Sequence, residues 1–449
     1  MSLMEEAVVK YNKLLESGPY RDLSWAEALH QRMENANLSA GGRLVCPFLR
    51  PNFLTRRQYE SLVKTGEALI GAIDRLQQMA LANPALLGRL ELLPAEKMLA
   101  AIDPGYQALE VSARLDTHMT NGHVRFVQYN ADSPTGAGYA DALADLFFDA
   151  PPVKEFRKKY TLTRVGSRKH LLQALLKAYK QFGGTRQPNI AIVELRSGRH
   201  SGQSEFELFR DCFREEGYAV EIVSPEQLEY RNGVLRKGSF EIDLAYRRLG
   251  VQEFLIQFDL THPLVRAYRD RAVCVVNSFR SELAHKKAMF GLLTDETLTA
   301  KFPAAERKAI RDHVPWTRLV AAAKTSYGDR VVDLPEFITQ NRERLSLKPN
   351  DDSSDQHSYF GWEMDAASWD RALKQAMRTP YVAQERVEPV RAVFPLMSFG
   401  NLEFREMQVD VHPHAYLGKV QGCSSWLSTG KAGFSFAAGI APTFLIEPK

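Results

Sequence analysis

The alternation of helical and strand periodicities between Thr161 and Tyr246 constrains the fold more than any other feature. Ser167 to Phe182 carries apolar residues at helical spacing. Asn189-Ile190-Ala191-Ile192-Val193-Glu194 is a short apolar run rich in β-branched residues, as a buried strand requires. Ser204 to Gly217 reads as a helix opened by a Ser204…Glu207 capping box. Tyr218–Val223 and Glu241–Tyr246 add two strands. Strand, helix, strand at this spacing predicts a right-handed parallel crossover. Ligands of such sheets sit beyond the carboxyl ends of the strands. Here that end runs into Arg196-Ser197-Gly198-Arg199-His200-Ser201, which is basic and small. Arg196, Arg199 and His200 suit an anionic substrate group at the following helix N-terminus, and the segment equally suits a solvated loop.

The flanking regions read differently. Residues 1–150 are mainly helical by pattern. Thr55-Arg56-Arg57-Gln58 is a capping box, followed by Leu62, Val63, Gly66, Leu69, Ile70, Ile73 and Leu76 on one helix face. Val124–Tyr129 is a strand by composition and empties into the turn-forming segment 130–138, with a helix expected from Tyr139. Residues 281–344 again look helical, with a loop at Tyr327-Gly328. Asn350–Ser358 is a polar loop. Strands are expected at Tyr381–Val387, Val390–Phe394, Phe404–Val411 and Phe434–Ile446. This mixed order argues for α+β and α/β units rather than one regular barrel.

Composition excludes several function classes. The 58 basic and 54 acidic side chains leave a net charge of +4, no footprint for nucleic acid. Cys46, Cys212, Cys274 and Cys423 form no CxxC pair, so buried, reduced thiols are expected rather than a zinc ribbon or disulfide framework. The sequence shows no signal-peptide pattern and no apolar run long enough to span a bilayer, so a cytoplasmic protein that binds no membrane is expected. Oligomeric state is not readable.

Among candidate chemical groups, Lys348 closes a strand beside the polar loop, where a lysine suits phosphate as a point charge. Tyr381–Val387 empties into a connection whose backbone suits an adenine edge, or is simply an edge strand. Asp116, Gln128 and Asn130 lie on neighbouring extended segments, and Gln128 and Asn130, two apart, share a face. Convergent oxygens of this kind suit magnesium. His412-Pro413-His414 puts two imidazoles on one side of an extended segment, but two ligands make no zinc site and a structural role is expected.

Taken in order, Arg114-Leu115-Asp116, residues 128–136 (Gln-Tyr-Asn-Ala-Asp-Ser-Pro-Thr-Gly), residues 242–248 (Ile-Asp-Leu-Ala-Tyr-Arg-Arg), His262-Pro263-Leu264, residues 276–283 (Val-Asn-Ser-Phe-Arg-Ser-Glu-Leu), Pro315-Trp316-Thr317, Leu347-Lys348-Pro349-Asn350 and Gln384-Glu385-Arg386-Val387 form a series. It resembles the circularly permuted ATP-grasp proteins related to glutathionylspermidine synthetase, from about residue 40 to the C-terminus. The resemblance implies an ATP-grasp fold with its metal-bearing strands moved to the N-terminal part and an inserted Rossmann-like domain. The implied units are 1–160 (helical region plus metal-bearing strands), 161–285 (substrate domain), 286–345 (helical connection) and 346–449 (lid and C-terminal strands). It implies an ATP-dependent carboxylate–amine ligase acting on a small molecule or peptide through an acyl phosphate. Lys287 and Lys348 would be the nucleotide lysines, Glu385 and Val387 the adenine hinge, and Asp116, Gln128 and Asn130 the magnesium ligands.

Three departures point to the alternative of a catalytically impaired binding or assembly protein. Gln128 stands where the family has a glutamate, removing a negative charge from a divalent-cation site. The expected glycine-rich loop over the phosphates is instead acidic across 351–355, where each aspartate repels phosphate by roughly 1 kcal/mol at ~4 Å even in water. An arginine expected near the C-terminal strands is missing around Ser424–Ser428.

Overall fold

The computed structural model describes residues 3–40, 42–120, 123–195, 203–351, 357–429 and 438–449. Arg196, Arg199 and His200, and Asp352 to Gln356 of the acidic loop, lie outside these residues.

The helix Arg56–Ala82 begins as its sequence dictates: the Thr55 hydroxyl accepts from Gln58 N at 3.2 Å, and the Gln58 side chain accepts from Thr55 N at 2.9 Å. Its apolar stripe, including Leu62, Leu69, Ile70, Ile73 and Leu76, is buried. Each such side chain stabilises by roughly 2 kcal/mol before its entropy is counted. The stripe packs on a sheet built from both ends of the chain. A Cβ at Gly66 would stand 3.1 Å from Leu115 Cδ1 and 3.3 Å from Val420 Cγ2, so this helix and sheet approach through a missing side chain.

That sheet runs in the order Gly439–Ala441, Lys419–Ser428, Asn401–Tyr416, Ser112–Thr120, His123–Asn130, with Arg391–Ser398 also paired to Asn401–Tyr416. The seam between chain ends is antiparallel, with His414 opposite Arg114 and Tyr416 opposite Ser112. A second sheet repeats the theme: Thr443–Pro448 lies between Asn52–Thr55, in parallel, and Tyr160–Arg164, antiparallel.

The region expected to be α/β forms a four-stranded, all-parallel sheet in the order Cys274–Val276, Leu244–Arg247, Ile190–Val193, Val220–Val223. Helix Gln203–Glu215 connects its neighbouring strands. The run Glu241–Tyr246 is interrupted at Asp243, whose carboxylate accepts from Asn189 N at 2.9 Å and turns the chain before the buried strand starts. A further antiparallel sheet takes Thr317–Leu319, Tyr381–Glu385, Leu345–Pro349 and Tyr359–Phe360 in that order.

The structure corrects the reading of residues 281–344. Helices occupy much of it, but Thr317–Leu319 is a strand and Lys324–Tyr327 pairs with Arg330–Asp333 as a hairpin. The two-residue turn is Gly328-Asp329, with Gly328 at φ +56°, and the flanks carry Thr325, Val331 and Val332, whose β-branching favours strands. Asn401–Tyr416 is also longer than expected and carries His412-Pro413-His414 through an irregularity between Pro413 and Ala415. Within Phe434–Ile446, the described part breaks at Pro442 into two strands. All four cysteines are buried and unbridged. No helix of the described residues is long and apolar enough to cross a membrane.

Candidate functional site

The expected metal trio shares one face of the large sheet. Asp116 lies opposite Gln128 and Arg114 opposite Asn130. Strand alternation turns Leu115 and Tyr129 the other way, into the core. The carboxylate of Asp116 is already engaged: Arg114 Nε is 2.5 Å from Oδ1 and Nη2 is 3.0 Å from Oδ2. Arg114 Nη1 donates to Thr135 O at 2.9 Å, and its guanidinium lies 5.4 Å from the Trp426 ring. Burial alone would raise the Asp116 pKa, but Arg114, then His412 and His414, hold it below the usual carboxylate range. The donor set therefore fits magnesium in kind, being all oxygen, but supplies one negative charge that Arg114 already neutralises.

His412 and His414 serve the scaffold. His412 Nδ1 accepts from Thr117 N at 3.1 Å, and His414 Nε2 pairs with Ser424 Oγ at 3.0 Å. Burial pushes their pKa values down to about 4 and about 3, so both are neutral at pH 7. Ser424 also accepts from Trp426 Nε1 at 2.9 Å. The segment where an arginine was expected thus holds a serine–tryptophan–histidine packing beside Arg114.

Lys348, Glu385 and Val387 meet. All three line a cleft of about 480 Å³ between the Leu345–Pro349 and Tyr381–Glu385 strands and the large sheet. Lys348 Nζ donates to Gln384 Oε1 at 3.1 Å. Gln384 Nε2 in turn donates to Val127 O at 3.1 Å and Thr317 Oγ1 at 3.2 Å. One amide thus ties the lysine to the strand that carries Gln128 and Asn130. Glu385 N–H is spent on Trp316 O at 2.9 Å, and its carboxylate accepts from Tyr327 OH at 2.9 Å. Val387 N–H makes no bond among the described residues.

Asn130 lines a second cleft, of about 770 Å³. It opens past the carboxyl end of the parallel strand Leu244–Arg247, at Arg248 and Gly250, and past Leu345–Pro349, at Asn350 and Asp351. Its walls carry charges that sequence reasoning left unassigned. Asp132 is ion-paired to buried Arg247. Glu205 reaches Arg248 at 3.4 Å and accepts from Gly136 N and Gly138 N at 2.7 and 3.0 Å. The Asp132-Ser133-Pro134 turn and the Tyr246-Arg247-Arg248 string were visible in sequence, but their pairing across more than a hundred positions was not.

Lys287 lines neither cleft. It is buried, and its N–H donates to Asn350 O at 2.9 Å, two residues beyond Lys348. Its neighbour Lys286 faces the larger cleft, with Nζ 3.0 Å from Glu96, 2.8 Å from Glu282 and 2.6 Å from Asp351. These carboxylates are, among the described residues, the grouping close enough to hold a metal ion, and the Lys286 ammonium already stands among them. Of Asp116, Gln128, Asn130, Lys287 and Lys348, Lys348 lines the smaller cleft and Asn130 the larger, while Asp116, Gln128 and Lys287 line neither.

A glutathione synthetase-like effector from Globodera pallida, in its apo form, superposes over 96% of this chain and 98% of its own length with a TM-score of 0.57, at 14% identity. A candidate gamma-glutamylcysteine synthetase from Methylobacillus flagellatus covers 87% of each chain with a TM-score of 0.43 at 10% identity. No protein-family model and no curated protein matches the sequence. The likeness to the effector is one of fold, a mixed α/β architecture with several sheets.

The acid cluster makes stability depend on pH. Burial first, then Glu282, pushes the Asp351 pKa up to about 8 despite Lys286. Burial, with Asp132 and Glu96, pushes Glu282 up to about 7. Such carboxyls bind protons more tightly folded than unfolded, so their stabilisation is complete below the unfolded value and is lost as pH rises through about 8. Urea midpoints measured from pH 5 to pH 9 should therefore fall with rising pH, and Asp351→Asn should flatten the fall; an identical slope in the variant would contradict this assignment.

Proposed function

We propose that this chain is an ATP-dependent carboxylate–amine ligase on a circularly permuted ATP-grasp fold, with a Rossmann-like unit between its halves. The observation that carries the reading is the 480 Å³ cleft in which Lys348, Glu385 and Val387 meet beside His118 of the distant Asp116 strand. In the reaction, a carboxylate oxygen attacks the γ-phosphorus, ADP leaves, and an amine nitrogen then attacks the acyl carbon of the acyl phosphate, expelling phosphate and losing a proton. Enzymes of this class work by holding reactants and neutralising charge.

Each residue has a role in that scheme. The Val387 N–H and the backbone at Glu385 would meet the adenine edge. Lys348, oriented by Gln384, would meet phosphate as a point charge, with Lys287 at the neighbouring helix start. Magnesium would be held by Asp116, Gln128 and Asn130, where a bound divalent cation neutralises phosphate charge. Arg114, bidentate on Asp116 and facing Thr135, stands where the sheet face turns toward the larger cleft. That cleft, lined by Asn130, Arg248 and Asp351, would hold a small-molecule or peptide substrate.

One observation favours a second reading, an impaired relative that binds without turnover. Asp116 is neutralised by Arg114, and Gln128 contributes no charge. The two readings separate by assay. ADP release across pooled amino acids, peptides and polyamines is the expected result, with Lys348→Ala lowering ATP affinity about tenfold at unchanged melting temperature; silence across broad pools favours the binding protein, and unchanged ATP affinity in the variant removes Lys348 from the site. Gln128→Glu restores a charge and should tighten magnesium-dependent nucleotide binding in calorimetry. No gain would place the metal elsewhere.

A further inference from the structure

One side chain on the wall of the larger cleft lacks the partners that its depth requires. His285 ends the short helix Glu282–His285, lines the 770 Å³ cleft and is 8% exposed. Among the described residues its buried Nδ1 makes no hydrogen bond, and Nε2 stands 3.8 Å from Asp351 Oδ1, beyond hydrogen-bond reach. Buried polar groups are bonded as a rule, and an unbonded one costs free energy that a ligand can restore. Burial holds the ring below the ordinary imidazole range although Asp132 and Asp351 pull the other way, so the ring is neutral at pH 7 and can accept a hydrogen bond.

Asp351 is fixed beside it. Its Oδ2 accepts from Lys286 Nζ at 2.6 Å, which leaves Oδ1 on the His285 side. The residue before it anchors the chain: Asn350 O accepts from Lys287 N at 2.9 Å, Asn350 Oδ1 accepts from Ala288 N at 2.8 Å, and Asn350 Nδ2 donates to Leu90 O at 2.9 Å. His285 Nε2 and Asp351 Oδ1 are therefore two held acceptors on one wall, three residues past Lys348 and in the cleft that Asn130 also lines. Glu96 and Glu282 stand behind them on Lys286. A carboxylate brought to this wall meets lone pairs. A nitrogen with two hydrogens, about 2.9 Å from each acceptor, spans the 3.8 Å between them.

Resting on the ligase reading, we propose that His285 Nε2 and Asp351 Oδ1 seat the attacking nitrogen of a primary amine substrate. Its two N–H groups donate to the two acceptors, and its lone pair is left to face the acyl phosphate. That lone pair forms the C–N bond while the C–O bond to phosphate breaks. Phosphate takes the electron pair of the broken bond and the proton that the nitrogen sheds. His285 stays neutral throughout and touches the reacting nitrogen. Lys286 is a positioning residue that acts through Asp351.

The test offers two nucleophiles to the full chain, with ATP, magnesium and pooled amino acids and peptides as carboxylates. Pooled primary amines need the seat, whereas hydroxylamine in large excess intercepts the acyl phosphate from solution and gives a hydroxamate. Mass spectrometry reads both products. His285→Ala should lower amide yield roughly tenfold or more, through a raised KM for the amine, and leave hydroxamate yield unchanged. His285→Gln returns an oxygen acceptor and should recover part of the loss. Hydroxamate serves as the fold control, because a variant with a damaged site loses both products. Equal loss of both, or unchanged amide yield in His285→Ala, overturns the seat while leaving the ligase reading standing. If the unaltered chain makes neither product, both fall together.

Discussion

The pairing of residues 112–114 with residues 414–416 is the constraint on which the rest of the molecule depends. It closes a sheet whose strands come from both ends of the chain. Without it, the Asp116 strand would be an edge with its backbone groups unpaired on that side. The same seam brings Asp410 to His118, Thr117 to His412, and Trp426 to Arg114. Each candidate site contact on that face is a consequence of register. A slip of one residue would turn Asp116 and Asn130 into the core and Leu115 and Tyr129 into the cleft.

The site is defined by how it manages charge. Buried ions cost several kcal/mol each unless they are paired and hydrogen-bonded. Around the clefts, several buried charges are ion-paired: Asp116 with Arg114, Asp132 with Arg247, Glu205 with Arg248, and Lys286 with Glu96, Glu282 and Asp351. Such pairs contribute little net stability, and removing one partner is far more costly than the pair is worth. Their effect is to hold side chains in one geometry around a polar space. For any ligand that enters, that geometry sets which charges it meets and which are already spent.

Local features were legible in the sequence. The Thr55–Gln58 box, the parallel strands and the shared face of Gln128 and Asn130 follow from spacing alone, and the structure has each of them. The hairpin at residues 324–333 was missed because its two strands are four residues long and mostly polar, so Thr325, Val331 and Val332 beside Gly328 made too short a pattern to stand out. Contacts across the seam had no local signal at all. His118 and Asp410 are 292 positions apart, and Glu96 and Lys286 are 190 apart. Alternation along one strand gives the face a residue takes, but not the residue that faces it from the far end of the chain. Lys287 and Lys348, grouped in sequence as nucleotide lysines, are linked through the bond from the Lys287 backbone N–H to Asn350 O, and of the two only Lys348 lines the smaller cleft.

The most direct test of this account is a crystal structure of the chain with a nonhydrolysable ATP analogue and magnesium. The account places the adenine at Val387, the phosphate tail between Lys348 and the Asp116 strand, and the metal on the face shared by Asp116 and Asn130. Nucleotide bound outside the cleft between Lys348 and Val387, or metal coordinated away from that face, would contradict it.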